Sequence, residues 1–292
     1  MSTENSPVRV VHFADPWCWW SWGLEPILRR LHEVYGDNLA IEYRMGGTFS
    51  DYREWQHQYD VNDQTTVDWV RESVALTRNP VDLEYMAKSG VKSTFPSCIA
   101  FKAAELQDPR RAERFLRRMM ESFQVQATPW SDDNAARIAA SVGLDAQRLR
   151  TDLHSKEAEA AFVQDQHAMH QEHVNFLSLA IYAGGHKAVE GSKFGAAHFE
   201  AVIDRMAPGL PKRSPTDLLE YLRKYTGDLV TPHEIGEVFR IPDADATRRM
   251  QQLAAAGYVK TETHAGQTFW RAIPLPPGPV PSSLLEVSRV PA

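Results

Sequence analysis

The first 45 residues contain a strand–helix–strand pattern, and this pattern restricts the fold more than any other feature of the chain. Residues 8–13 (VRVVHF) form a β-branched apolar run that predicts a buried strand. Residues 24–35 show the spacing of an amphipathic helix, and residues 39–45 (LAIEYRM) alternate as a second strand does. Strands joined through a helix lie parallel, with a right-handed crossover. The sequence therefore predicts an α/β fold that contains a parallel strand pair.

Cys18 lies in the turn between the first predicted strand and the helix. Residues 15–23 of this turn read DPWCWWSWG. The N–H groups and the dipole at a helix N-terminus favour a thiolate, and we expect the sulfur to be partly exposed. The tryptophans either form an aromatic rim that binds an apolar ligand or peptide, or divide, with Trp17 and Trp22 in the core and the other two capping it.

The middle of the chain is dominated by helical patterns. They form a helical insertion over about 65–173, with candidate helices at residues 65–77, 97–107, 109–124, 132–142, 145–152 and 155–172. Strand character returns at residues 174–182, and a glycine turn leads to a short strand at residues 187–190. A helix over residues 195–206 closes this first unit, which we assign to residues 7–206.

A proline-rich linker at residues 207–215 separates the first unit from a second pattern. Residues 216–273 predict three helices and a hairpin, with Thr231 as the N-cap of the second helix. This order is the outline of a small winged-helix-like α+β domain. The tail, residues 274–292, is rich in proline and is expected to be extended or disordered.

The segment around Cys18 and the order of the elements resemble the DsbA-like disulfide oxidoreductases. The resemblance covers residues 7–206 and is carried by Asp15, Pro16, Cys18, Trp22, Gly23, Gly46-Gly47 and the segment FPSCIAFKAA at residues 95–104. It is strongest toward cytosolic members, such as the FrnE-like proteins and the adaptor that presents the Spx regulator to a protease. The resemblance implies a thioredoxin fold with a large helical insertion and a cytoplasmic location. It also implies one of two kinds of partner. One is a substrate, a thiol or disulfide of a protein or peptide, and the other is a protein partner of the adaptor type.

Two positions depart from the family pattern. The family has a C-x-x-C active site, whereas Ser21 stands here in place of the resolving cysteine. The family also has a cis-proline opposite the cysteine, whereas Leu177 follows Phe176 at that place. A cis bond before a residue other than proline costs about 2.5–4 kcal/mol, so we expect this bond to be trans. Because Ser21 cannot form a disulfide with Cys18, net dithiol exchange within one C-x-x-C motif is excluded.

Three functions remain open. The first is an enzyme of the thiol-disulfide oxidoreductase or isomerase type. In it, Cys18 is the catalytic thiol of a monothiol exchange, and Ser21 hydrogen-bonds to its thiolate. Glutathione can serve as co-substrate, and no other cofactor is expected. The second is a redox-degenerate adaptor in which Cys18 is a relic. The third and weaker one is a glutathione-dependent isomerase or transferase. The residues expected to contact the substrate are Trp17, Trp19, Trp20, Phe176, Leu177 and Cys98.

Cys98 is the second of two cysteines. Free cysteines are commonly buried, which favours a small apolar core residue on the insertion. The alternative is a redox partner for Cys18, which requires the two Cα atoms to lie within about 7 Å. Two thiols in a chain of this length do not form a disulfide scaffold.

Composition and charge argue against three classes of partner. The formal net charge of −6 provides no general attraction to nucleic acid or anionic lipid. The N-terminus has neither a basic n-region nor an apolar core, which predicts a cytoplasmic protein without a membrane segment. Residues 216–273 hold seven Lys/Arg and eight Asp/Glu, which disfavours DNA binding through Arg248 and Arg249. His167, His170 and His173 recur every three residues, but such a set usually marks a solvated helix face rather than a metal site.

Overall fold

The first unit is built on a four-stranded sheet. In the computed structural model, which describes residues 6–175, 177–274 and 281–290, its strands are β1 (Val8–Ala14), β2 (Leu39–Met45), β3 (Ser178–Ala183) and β4 (His186–Gly191). The sheet order is β2-β1-β3-β4, with β1 parallel to β2 and the other pairs antiparallel. The predicted α/β class and the parallel strand pair are confirmed. The strand predicted from residue 174 begins at Ser178.

Helix α1 (Trp19–Tyr35) crosses from β1 to β2 and packs against α10 (Ala196–Met206) and the sheet. Pro26 lies inside α1 and cannot donate the hydrogen bond that the carbonyl of Trp22 would accept in a regular helix. The side-chain Nδ2 of Asn79 donates to this carbonyl at 2.7 Å. A residue of the insertion therefore satisfies the carbonyl group that the proline leaves free.

Between β2 and β3 the described residues form eight helices. They are α2 (Tyr52–Gln58), α3 (Asp63–Thr77), α4 (Leu83–Lys88), α5 (Phe95–Glu105), α6 (Pro109–Gln124), α7 (Asp132–Ser141), α8 (Ala146–Asp152) and α9 (Lys156–Gln171). Of these, α3 to α9 correspond to the predicted insertion. All six predicted helices are confirmed, with ends that shift by at most two residues. Helices α2 and α4 were not predicted; Asp51 and Asp82 cap them with their carboxylates.

The second unit contains four helices among the described residues, the three predicted ones and one at residues 282–288, and a small sheet. Its elements are α11 (Leu218–Lys224), β5 (Leu229–Val230), α12 (Pro232–Phe239), α13 (Asp243–Ala255), β6 (Val259–His264), β7 (Gln267–Ala272) and α14 (Ser282–Ser288). The sheet order is β5-β7-β6, and the two-residue strand β5 was not predicted. The expectation of an extended tail is wrong for residues 282–288, because Leu284 and Val290 pack on the core of this unit.

A buried guanidinium joins the two units. Arg117 of α6 contacts Glu25 of α1 at 3.3 Å, Glu121 of its own helix at 3.0 Å and Glu234 of α12 at 2.7 Å. It also donates to the carbonyl of Leu229 at 2.6 Å. Each of these four charged side chains is at most 4% exposed. The second unit is therefore docked through interior charges and not only tethered by a linker.

Two neighbouring arginines of α1 extend this interface. Arg29 contacts Asp228 at 2.5 Å, and Arg30 donates to the carbonyl of Val238 at 2.5 Å. Both arginines are buried. Along the described part of the chain, no helix combines the length and apolar character needed to cross a membrane.

Candidate functional site around Cys18

Cys18 occupies the N-cap of α1. Its N–H donates to the carbonyl of Asp15 at 3.0 Å, and its carbonyl accepts from the N–H of Trp22 at 3.1 Å. The residue is only 4% exposed, so the expectation of a partly exposed sulfur is wrong.

The surroundings of the Cys18 thiol disfavour the thiolate. Burial and, to a smaller extent, the negative charge of Asp15 raise its pKa to about 12. Hydrogen bonds from Ser21 and from the backbone N–H of Trp20 lower the pKa but do not outweigh these effects. The helix N-terminus, which predicted an activated thiolate, is therefore overridden by desolvation in this structure.

Asp15 is a buried carboxylate that holds the turn together. Its two oxygens accept from the N–H of Trp17 at 2.8 Å and from the N–H of Thr48 at 2.6 Å. Burial raises the pKa of Asp15, whereas these hydrogen bonds and one from the Thr94 side chain lower it. Asp15 thus ties the end of β1 to the loop after β2, directly beneath Cys18.

Ser21 is fully buried and serves the same turn. Its Oγ accepts a hydrogen bond from the backbone N–H of Asp15 at 3.2 Å. Ser21 does not line the cavity that Cys18 faces. The residue at the position of the resolving cysteine is thus placed to support the backbone and the Cys18 sulfur.

A cavity of about 790 Å³ opens above Cys18. Aromatic side chains supply much of its wall: Trp17, Trp19, Trp20, Phe49, Tyr52, Trp55, Tyr59 and Trp69. Its volume lies in the range of about 300–1,000 Å³ that is usual for ligand sites. The site can therefore accommodate bulky apolar groups beside the sulfur.

Helices α2 and α3 form the aromatic wall opposite α1. On α2, Tyr52 and Trp55 stack with ring centroids 5.8 Å apart, and Trp55 contacts Tyr59 at 5.6 Å. Trp69 of α3 meets Trp55 edge-on at 6.0 Å. Tyr59 and Trp69 are both exposed, which leaves the wall accessible from solvent. These residues were not predicted from the sequence, although residues 52, 55 and 59 have the spacing of one helix face.

The rim of this cavity holds a small excess of cations: Arg53, Lys88, Lys92 and Lys193 line it together with the carboxylates of Asp51, Asp63 and Glu72. Among the lining residues, Arg53, Lys92 and Lys193 have no ion pair with a described residue, and Lys193 Nζ lies 5.9 Å from the Trp20 ring. The carboxylate of Asp51 caps α2, and that of Asp63 accepts from Gln56 and Tyr52. The rim therefore favours acidic groups beside an apolar one.

Four of the six residues predicted to contact the substrate line the cavity. Trp17, Trp19 and Trp20 line the cavity, with Trp17 buried in a stack on Phe123 at 4.4 Å. Leu177 lines it and is exposed. Trp22 is fully buried, as the mixed arrangement of tryptophans predicted. Phe176 lies outside the described residues, and so does the geometry of the bond between it and Leu177.

Cys98 does not line the cavity. It is fully buried in the apolar core of the insertion, so the prediction of substrate contact is wrong and the prediction of a core residue is confirmed. Both cysteines are free thiols. Burial raises the pKa of Cys98, and the negative charge of Asp15 raises it further.

Other predicted features lie away from this cavity. The described residues contain no group of three or more His, Cys, Asp or Glu side chains that could hold a metal ion, and the three histidines of residues 167–173 form none. Arg248 and Arg249 both pair with Asp245 of their own helix. All residues that line the cavity come from residues 17–193, so the described part of the second unit does not cover it.

Comparison with known families agrees with this geometry. Residues 12–192 match a family model described as Thioredoxin. The chain belongs to this thioredoxin family. The fold and the relatives below place it in the DsbA-like group, whose thioredoxin fold carries a helical insertion.

Curated relatives align over nearly the whole chain. The ClpXP adapter protein SpxH of Halalkalibacterium halodurans is 26% identical over 277 residues, which cover 92% of this chain and 90% of the relative. The ClpXP adapter protein SpxH of Bacillus subtilis is 26% identical over 275 residues, with 92% and 90% covered. The similarity therefore includes the second unit as well as the thioredoxin fold.

Solved structures match the first unit. The cytosolic disulfide reductase DsbM of Pseudomonas aeruginosa superposes with a TM-score of 0.53 at 20% identity, over 68% of this chain and 97% of that one. A probable DsbA oxidoreductase of Streptomyces coelicolor gives a TM-score of 0.54 at 16% identity, over 72% and 93%. At these identities the likeness shows the fold alone.

Proposed function

We propose that this chain is a protein-binding adaptor that captures a partner in the aromatic cavity above Cys18. The observation that carries the proposal is the state of Cys18: it is buried, its pKa is raised to about 12, and a buried serine replaces its resolving partner. Disulfide exchange requires a thiolate, whereas binding requires the cavity, which is intact. The full-length similarity to SpxH adapters supports the same conclusion.

The partner's chemistry follows from the cavity. Aromatic walls favour an apolar or aromatic side chain, because stacked and edge-on ring contacts each add about 0.5–1.5 kcal/mol beyond the area they bury. The unpaired cations Arg53, Lys92 and Lys193 favour carboxylates beside that side chain. The adaptor would therefore hold an exposed apolar segment with acidic flanks and present its partner to a ClpXP protease in the cytoplasm.

The test combines capture and delivery. The tagged chain captures partners in reducing buffer, mass spectrometry identifies them, and degradation by purified ClpXP is followed with and without the adaptor. We expect Trp55→Ala and Trp69→Ala to weaken capture and to slow adaptor-dependent degradation. Phe194→Ala, an exposed aromatic residue that does not line the cavity, is the matched control and should behave as wild type. Equal effects of the three variants, or no effect of the two cavity variants, would refute the proposal.

A monothiol exchange at Cys18 is the second candidate. It is favoured by one observation: Cys18 lines the cavity and receives hydrogen bonds from Ser21 and Trp20. In this reaction, Cys18 attacks the disulfide of a glutathionylated peptide and releases the peptide thiol, and glutathione then reduces the Cys18 mixed disulfide to give oxidised glutathione. Turnover of such a peptide that disappears in Cys18→Ser would establish exchange, and turnover equal to buffer would exclude it.

The second unit is proposed to be a winged-helix-like domain over about residues 216–273, joined by a linker at residues 207–215 to the thioredoxin-fold domain of residues 7–206. The order of its helices and strands supports this assignment. Its docking through Arg117 and Arg29 argues for a structural and protein-binding role. Nucleic-acid binding is disfavoured by the pairing of Arg248 with Asp245 and by the unit's balanced charge.

A further inference from the structure

A second cavity lies between the two units. It has a volume of about 880 Å³ and is separate from the site of Cys18, with no lining residue in common. One wall is the segment from Arg78 to Glu84, at the end of α3 and the start of α4. The other wall is formed by the start of α12, one face of α13 and the turn between β6 and β7. We call this cavity the interdomain cleft.

Two buried side chains of the cleft have nitrogen atoms without a partner. Trp270 is fully buried, and no described group accepts from its Nε1–H. His233 is 9% exposed, and its Nδ1 has no partner among the described residues. Both residues line the cleft. An unmade hydrogen bond at a buried group is unfavourable, so these atoms point to a ligand that offers polar atoms here.

Acidic residues dominate the charge of the cleft. Asp82, Glu84 and Asp243 face one cationic side chain, Arg78, which pairs with Asp243 at 2.5 Å. Glu84 also pairs with Lys88, in an ion pair that is open to solvent at both ends. Burial lowers the pKa of His233, so this residue adds no positive charge at neutral pH. The cleft therefore attracts a cation rather than an anion.

We infer that the interdomain cleft binds an extended, lysine- or arginine-containing peptide segment of a partner protein. A peptide group carries both a carbonyl, which can accept from Trp270, and an N–H, which can donate to a neutral His233. A basic side chain next to that peptide group complements Asp82 and Glu84. The cleft is lined mainly by acidic residues, whereas the rim of the Cys18 cavity has a small excess of cations, and the two share no lining residue, so one chain can hold two different segments at once.

The inference is tested by fluorescence anisotropy with the full chain. Three labelled ten-residue peptides serve as probes, in which valine alternates with lysine, serine or glutamate. We expect the lysine peptide to bind about tenfold more tightly than the serine peptide at low salt, and the glutamate peptide to bind most weakly. Equal affinities, or a preference for the glutamate peptide, would overturn the inference.

Variants then locate the binding. The double variant Asp82→Asn with Glu84→Gln should remove the preference for the lysine peptide. Gln251 is an exposed residue that lines the cleft, so Gln251→Trp should fill the cleft and weaken binding of the lysine peptide about tenfold. Glu157→Gln with Glu159→Gln on α9 makes the same charge change away from the cleft and should leave the preference unchanged. A lysine preference that survives both cleft variants, or is lost equally in the control, would overturn the inference. These peptides require no client of the Cys18 cavity, so the outcome is separate from that of the proposed function.

Discussion

Removing the guanidinium of Arg117 should destabilise the protein far more than removing an exposed arginine. Arg117 is 3% exposed and contacts Glu25, Glu121 and Glu234, whose side chains are equally hidden. In Arg117→Met, the carboxylates of Glu25 and Glu234 would remain buried without their cation, while Glu121 would keep its contact with Arg118. The perturbation therefore strands two buried charges.

The magnitude follows from the balance of two opposing effects. At an effective dielectric constant of about 20, charges about 4 Å apart attract by about 4 kcal/mol. Desolvation of the buried ions offsets much of this attraction, so the network as a whole adds little net stability. Loss of one partner alone has no such compensation, because the remaining charges stay desolvated. We therefore expect Arg117→Met to lower the free energy of unfolding by about 3–5 kcal/mol.

The assay is urea unfolding, followed by tryptophan fluorescence and far-ultraviolet circular dichroism. Arg71→Met is the matched control, because Arg71 pairs with Asp68 while both side chains are more than half exposed. The control should change stability by less than about 1 kcal/mol. A second variant, Glu234→Gln in the Arg117→Met background, should recover part of the loss, because it removes one stranded charge and keeps an acceptor for the Tyr221 hydroxyl.

The reasoning would be refuted by a loss for Arg117→Met that equals the loss for the exposed control. It would also be refuted if Glu234→Gln, added to Arg117→Met, lowered the free energy of unfolding by a further amount of the size expected for a second defect in the interior. The first result would show that water reaches the network, and the second would show that Glu234 gains nothing from losing its charge in the absence of Arg117. Coincidence of the two spectroscopic transitions is checked first, because the calculation assumes two-state unfolding.

Three further predictions concern reactivity, packing and pH. Iodoacetamide labelling of Cys18, read by peptide mass spectrometry, should show no inflection below about pH 10, because burial raises the thiol's pKa to about 12; an inflection near pH 7 contradicts this. Gly23→Ala should cost about 1–3 kcal/mol in urea unfolding, because the added Cβ would lie 2.4 Å from Cγ2 of Thr77; an unchanged midpoint contradicts it. Burial raises the pKa of Glu33, but hydrogen bonds from groups that include Lys224 outweigh burial and hold the pKa at about 2, below the usual 4.5. The stability that Glu33 contributes is therefore fully present above about pH 4.5 and is lost as the pH falls through 2. In acid unfolding, Glu33→Gln should lose less stability than the wild type between these two pH values.

Much of the fold was accessible from the sequence, because local patterns and tertiary packing agree there. The β-branched run of β1 is buried in the centre of the sheet, and the caps Asp108 and Ser131 mark the starts of α6 and α7. Helices α2 and α4 were missed because they are short and lack a long apolar period. The helix at residues 282–288 was missed because the proline-rich composition before it hid the contact of Leu284 with the core of the second unit.

The candidate site was predictable in position but not in environment. The motif at residues 15–23 placed Cys18 at the start of a helix, which the structure confirms. Residues between 48 and 72, from another part of the sequence, form one wall of the Cys18 cavity, and the burial of the thiol cannot be deduced from a helix terminus alone. The aromatic spacing of Tyr52, Trp55 and Tyr59 was the available signal for this wall. Asp15 is likewise evident in the sequence, but the sequence does not show that its negative charge raises the pKa of the Cys18 thiol.

The most direct test of the account is the affinity of a purified partner for the wild-type chain and for Cys18→Ser in reducing buffer. The account assigns recognition to the aromatic cavity and gives the sulfur no covalent role. It therefore predicts the same Kd for both proteins within about twofold, and a larger Kd for Trp55→Ala. A complex that requires the Cys18 thiol, or that dissociates on addition of dithiothreitol, would contradict it and would establish capture through a mixed disulfide.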